Sequence, residues 1–106
     1  EMREEDCDCS EVEIPAGAVH GEFEIVNKKG LHARATAKFV QCAARYEADI
    51  TVSRCGETVG ATSIMGVLTL GAGIGSTITI VAKGAEAKPA LDALAALIAD
   101  KFGEGE

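Results

Sequence analysis

The sequence predicts an α+β domain in the order β-α-β-β-α-β-α, with helices covering one face of a sheet. Three observations predict it. Short runs that alternate apolar and polar residues interleave with runs whose apolar residues recur every three or four positions. Turn residues, chiefly Gly and Asn, punctuate them. The length of 106 residues, 47% hydrophobic and 25% charged, suits one compact core and no second domain. With 3 Phe, 1 Tyr and no Trp, that core rests on Ile, Val, Leu and Ala. No apolar run approaches the roughly 20 residues of a membrane-spanning helix. No basic-then-apolar start reads as a signal peptide, so a cytoplasmic protein without membrane insertion is expected.

Residues 1–20 are acidic, carry Pro15 and Gly17 and show no sustained period, which predicts a flexible tail. In Gly21–Asn27, Phe23 and Ile25 alternate with Glu22 and Glu24, a half-buried strand. Asn27-Lys28-Lys29-Gly30 is a turn. From Ala33 to Tyr46 the spacing is helical: Ala33, Ala37, Val40 and Ala44 form a stripe that Phe39 and Ala43 broaden. Asp49–Arg54 alternates again, with Ile50 and Val52 on one face, and Cys55-Gly56 turns it into Glu57–Ala61, a hairpin. Ser63 opens a brief helix through Leu70 as its N-cap, with Val67 and Leu70 in the core. Gly71-Ala72-Gly73-Ile74-Gly75 is a loop; it lacks the Gly-Lys-Ser/Thr ending of a nucleotide-binding loop. Thr77–Ala82 is a strand with Ile78 and Ile80 inward. Ala87, Ala90, Leu91, Leu94, Leu97, Ile98 and Phe102 mark a long amphipathic helix, with Pro89 in its first turn and Gly103 at its end.

Charge is distributed unevenly. The net charge is −7, which argues against nucleic-acid binding. Residues 1–11 hold six acids against Arg3, whereas residues 25–46 contain no acid yet hold Lys28, Lys29, Arg34, Lys38 and Arg45. Such a stretch is either a solvated helix face or an attractor of an anion or an acidic partner. The cysteines at 7, 9, 42 and 55 read as free thiols. Cys7 and Cys9 are too close for the usual zinc-ligand spacing, so no metal site is expected.

One constellation carries chemistry. His32 falls where a turn becomes a helix, beside unpaired N–H groups and the positive end of the helix dipole. That setting works against an imidazolium, leaves a neutral nucleophilic ring and welcomes a phosphate on it. Arg34 supplies a guanidinium that pairs with phosphate oxygens, and Lys28, Lys29 and Lys38 extend the positive field. The bland alternative is a histidine serving as a cap alone.

Lys29-Gly-Leu-His-Ala-Arg34, followed by Ala37-Lys-Phe-Val40, resembles the active-site segment of the HPr family, the histidine-containing phosphocarriers of the bacterial phosphoenolpyruvate-dependent phosphotransferase system. Gly60-Ala-Thr-Ser-Ile-Met-Gly66, followed by Leu68 and Leu70-Gly71, resembles that family's regulatory-serine segment. The two motifs stand in the family's spacing, and the resemblance covers residues 21–103, leaving a 1–20 tail and a 104–106 end.

The resemblance implies a four-stranded antiparallel sheet in the order 1-4-2-3 with three helices on one face. It implies that His32 accepts a phosphoryl group on Nδ1 from phosphorylated enzyme I and passes it to an enzyme IIA domain for sugar uptake. Arg34 contacts the phosphate, Ser63 is the target of a serine kinase/phosphorylase, and Ile64, Met65, Leu68 and Lys38 face partners. A cytoplasmic monomer without cofactor is implied. The sequence departs from the pattern at Ala35, where the family usually has proline after the arginine. Three alternatives stand beside this reading: the nitrogen-related regulatory branch of the same system, a regulatory binding module acting through phospho-Ser63, and a metal-binding protein using Cys7, Cys9 and a histidine.

Overall fold

A computed structural model describes residues 17–27, 30–54 and 56–103. The elements follow in the predicted order: β1 Val19–Glu24, α1 Ala33–Ala44, β2 Asp49–Arg54, β3 Glu57–Gly60, α2 Ile64–Thr69, β4 Thr77–Lys83 and α3 Ala87–Ala99. The sheet order is β1-β4-β2-β3, antiparallel throughout. The last strand therefore sits between the first two, and the chain cannot close its sheet until β4 is in place.

Register decides which side chains meet the helices. Phe23 pairs with Ile78, Ile80 with Val52, and Ala82 with Ile50. These residues share one face because side chains alternate along a strand. Apart from Phe23, which is half-buried, they are buried. The three helices cover that face. α3 packs on β1 and β4 through Ala87, Ala90, Leu91, Leu94 and Ile98, and α1 lies against both α3 and α2. The opposite face carries no helix. His20, Glu22 and Glu24 of the edge strand are exposed there, while Ser53 and Thr79 are buried between their neighbours. Ser53 Oγ and Thr58 Oγ1 share a hydrogen bond at 2.8 Å.

Several boundaries and faces differ from those read from the sequence. β1 begins at Val19 and ends at Glu24, so Val19 and His20 belong to the sheet, where His20 pairs with Val81. Ile25 lies beyond the strand. α1 stops at Ala44, and its buried residues are Ala35, Thr36, Phe39 and Ala43. Ala33 and Ala44, placed on the inner stripe by spacing, are exposed. The stripe is set by Phe39, the largest side chain of the helix, and the residues four before and four after it. β3 ends at Gly60 and β4 runs on to Lys83.

α3 ends at Ala99, before Phe102. Phe102 is nevertheless fully buried. It gets there through a tight turn at Lys101–Gly103 in which three successive residues have positive φ, 55°, 56° and 75°. Side-chain-bearing residues seldom adopt that conformation. Here the buried phenyl ring holds it, together with Lys38 Nζ, which donates to the Phe102 carbonyl at 2.6 Å.

Candidate functional site

The site begins with a loop locked from behind. Beyond β1, Ile25 N–H donates to Ser76 O and Gly75 N–H to Ile25 O, both at 2.8 Å. Asn27 is fully buried, and its Nδ2 donates to Gly30 O at 2.9 Å while Gly30 N–H donates back to Asn27 O at 3.2 Å. Gly30 has φ +65°, and a Cβ there would lie 2.5 Å from Ala72 O, so both the conformation and the space require glycine. Leu31 N–H donates to that same Ala72 O at 2.8 Å, and Leu31 O accepts from the buried Thr36 hydroxyl at 3.1 Å. The 71–75 loop thus forms the floor on which residues 25–31 rest.

That clamp delivers His32 as the N-cap of α1. Its backbone is extended, at φ −78° and ψ −176°, and its Nδ1 accepts the Arg34 N–H at 3.2 Å. In the neutral ring this leaves the lone pair on Nδ1 and the hydrogen on Nε2. The bond is at the long end of the usual range, so little is lost when another group takes that lone pair. His32 is half-buried and Arg34 is exposed. The turn residues Lys28 and Lys29 lie outside the described residues. Lys38 is half-buried, and its amine is engaged by the Phe102 carbonyl.

A second cap stands at the start of α2. Ser63 is exposed with extended backbone, and its Oγ accepts the Gly66 N–H at 3.1 Å. Val67 and Leu70 of this element are buried, as expected. Ile64 and Met65 are 47% and 72% exposed, and Leu68 is half-buried. Val26 and Ile74 add two more exposed apolar side chains, on segments tied together by the Ile25–Gly75 bond.

Sequence reading missed Asn27, Thr36 and the 71–75 loop as supports of the site. An asparagine three residues before a glycine was the available signal for the first. Elsewhere, a groove of about 620 Å³ between α1 and α3 is lined by Lys38, Cys42, Arg45, Tyr46, Leu97 and Asp100, apart from His32. Burial pushes the Cys42 thiol pKa up, against the opposing pull of Arg45. Among the described residues no group of three His, Cys, Asp or Glu is placed to hold a metal. Cys7, Cys9 and Cys55 lie outside those residues.

The fold is that of small open-faced phosphocarrier sandwiches. An HPr structure from Thermoanaerobacter tengcongensis superposes with a TM-score of 0.79 at 42% identity, over 81% of this chain and 97% of that one. One from Bacillus anthracis gives 0.74 at 47%, over 76% and 96%. The profile of the family described as "PTS HPr component phosphorylation site" matches residues 19–100. The phosphocarrier protein HPr of Cupriavidus necator is 55% identical over 82 residues, 77% of this chain and 92% of that protein. The phosphocarrier protein NPr of Shewanella violacea is 45% identical over 83 residues, 78% and 91%. The chain belongs to the HPr family of phosphotransferase-system phosphocarriers. Among the described residues no helix is long and apolar enough to cross a membrane.

Proposed function

We propose that this chain takes a phosphoryl group from phosphorylated enzyme I onto His32 Nδ1 and gives it to the A domain of an enzyme II for sugar uptake. The observation that carries this is the lone pair of Nδ1, presented over the start of α1 by a backbone locked on both sides. That lone pair forms the new P–N bond. The donor's bond to phosphorus breaks, and its electron pair stays with the donor; the Nε2 hydrogen remains on the ring. Onward transfer is the same step with the carrier as donor.

Arg34 lies in the first turn beside the ring, where its guanidinium neutralises the phosphoryl charge. Ile64, Met65 and Leu68 form the apolar part of a docking face that successive partners share, so their complexes exclude one another. Lys38 supports that face from within the molecule and through its charge. Ser63 is a regulatory phosphorylation site: a phosphoester there keeps its oxygens at a helix start and adds about two negative charges beside Ile64 and Met65. The chain works as a cytoplasmic monomer without a cofactor, its domain spanning residues 21–103 with β1 reaching back to Val19. The likeness to the NPr of Shewanella violacea supports a second reading, a carrier of the nitrogen-related regulatory branch using the same His32 chemistry.

Intact mass after incubation with phosphoenolpyruvate, Mg²⁺ and catalytic enzyme I tests the proposal. One phosphate is expected on the wild-type chain, lost in mild acid and absent from His32→Ala. A His32→Ala chain that still gains an acid-labile phosphate overturns the assignment.

A further inference from the structure

We propose that the acidic segment ahead of the domain, residues 1–13, docks in the groove between α1 and α3 of its own chain and competes there with acidic partners. That segment holds seven acids against Arg3, net −6 of the chain's −7. The groove, of about 620 Å³, has Lys38, Arg45 and Tyr46 on one wall and Ala93, Ala96 and Leu97 on the other. Among the described residues Asp100 is the one acid that lines it. Along α1 and its C-cap, steps of four, three and four put Arg34, Lys38, Gln41 and Arg45 on a single stripe. Arg34 and Arg45 are exposed, and among the described residues neither meets a carboxylate within ion-pair distance. Two cations elsewhere are matched: Lys88 pairs with Asp92 at 3.2 Å, and Lys83 lies opposite Asp49 in the β2–β4 ladder.

Reach and chemistry both suit this occupant. Sixteen residues precede Gly17, where the described residues begin, and extended they span about 50 Å, against 40 Å for the longest extent of the fold. β1 starts at Val19 and lies under α3, so the segment leaves the domain beside one wall of the groove. Its carboxylates complement Lys38 and Arg45, and Met2 and Val12 supply apolar side chains for Leu97 and the alanines. Because it belongs to the same chain, it meets the groove at an effective concentration on the order of millimolar, so a weak contact suffices. Docked, it screens the stripe that runs up to Arg34, and an acidic partner must displace it before reaching His32. That consequence rests on His32 as the phosphoryl acceptor; the contact itself does not.

The direct test compares amide spectra of the ¹⁵N-labelled full chain with those of a variant carrying Glu4→Gln, Glu5→Gln, Asp6→Asn and Asp8→Asn, whose substitutions all lie outside the folded core. At low ionic strength the amides of Gln41, Cys42, Arg45 and Ala96 are expected to differ between the two chains. Raising salt to about 0.5 M moves the wild-type amides to the variant's positions, and diluting the protein moves none of them. Loading by phosphoenolpyruvate and enzyme I is expected to be about threefold or more faster in the variant at low salt, with the difference gone at high salt. Groove amides that coincide in the two chains overturn the inference, and shifts that fade on dilution overturn it in favour of a contact between copies. Shifted groove amides with equal loading rates overturn the competition with partners. No phosphate taken up by either chain overturns the role of His32 and leaves the amides to decide the contact.

Discussion

At the start of α1 the imidazole of His32 accepts the second N–H of the helix, and at the start of α2 the hydroxyl of Ser63 accepts the third. The two caps are built alike, with extended cap backbones and bonds of 3.2 and 3.1 Å. They differ in the capping atom and in what surrounds it. Nδ1 of a neutral imidazole is a nucleophile as it stands, whereas a serine hydroxyl needs an outside base to remove its proton. Residues 25–46 carry cations and no acid, while from Thr58 to Ala82 the chain has no charged side chain at all. The first setting supports the proposed role of His32 in receiving an anion and releasing it. A charge placed at the other meets no counter-charge in its own segment, which supports the proposed regulatory role of Ser63. Cap geometry alone does not distinguish the two proposed roles; the chemistry of the cap atom and the local charge do.

The comparison breaks most readily on the side of His32. Gly30→Ala forces a side chain into a positive-φ position against Ala72 O. It is expected to cost about 3 kcal/mol, seen as a fall in melting temperature of ~10–20 °C. Phosphate uptake at His32 slows with it, and a variant that melts within a degree or two of wild type removes the loop clamp from the account. Next in size, Ser63→Asp is expected to slow loading by enzyme I about tenfold at low ionic strength, less as salt screens the new charge; an effect indifferent to salt means lost packing instead.

Thr36→Val removes the hydroxyl from Leu31 O and is expected to cost about 1–2 kcal/mol in chemical denaturation. The smallest effect sharpens the contrast. Ser63→Ala loses a helix cap, about 1 kcal/mol, with the rate of loading at His32 unchanged; a changed rate shows that the two caps are coupled.

Element types and order were legible because the two periodicities alternate cleanly, and the buried residues of α3 were all among those read, although Leu97 is only half-buried and Phe102 lies beyond the helix. The buried face of α1 was not. Five of its twelve residues are alanine, and alanine spacing marks no side; only Phe39 did, and Ala35 and Ala43 follow from it. Thr36 reads as a surface residue until the fold places Leu31 O beside its hydroxyl. Val19 and His20 merged with the acidic stretch because Gly21 interrupts the alternation, and pairing with β4 alone extends the strand. His32, Arg34 and Ser63 stood out because each falls at a helix start beside recognisable neighbours. The 71–75 loop did not, since its part is played across more than forty residues of sequence, and Asn27 did not because an asparagine bonded three residues on to Gly30 looks like any turn residue until its burial is seen.

That separation bears on when the protein becomes competent. His32 is synthesised about forty residues before Ala72, Gly75 and Ser76, which hold the backbone that presents it. A nascent chain on the ribosome has its histidine long before it has the floor beneath it. If His32 is the acceptor we propose, loading in the cell is restricted to chains whose translation has passed β4, and a message truncated before that point yields a histidine without its support.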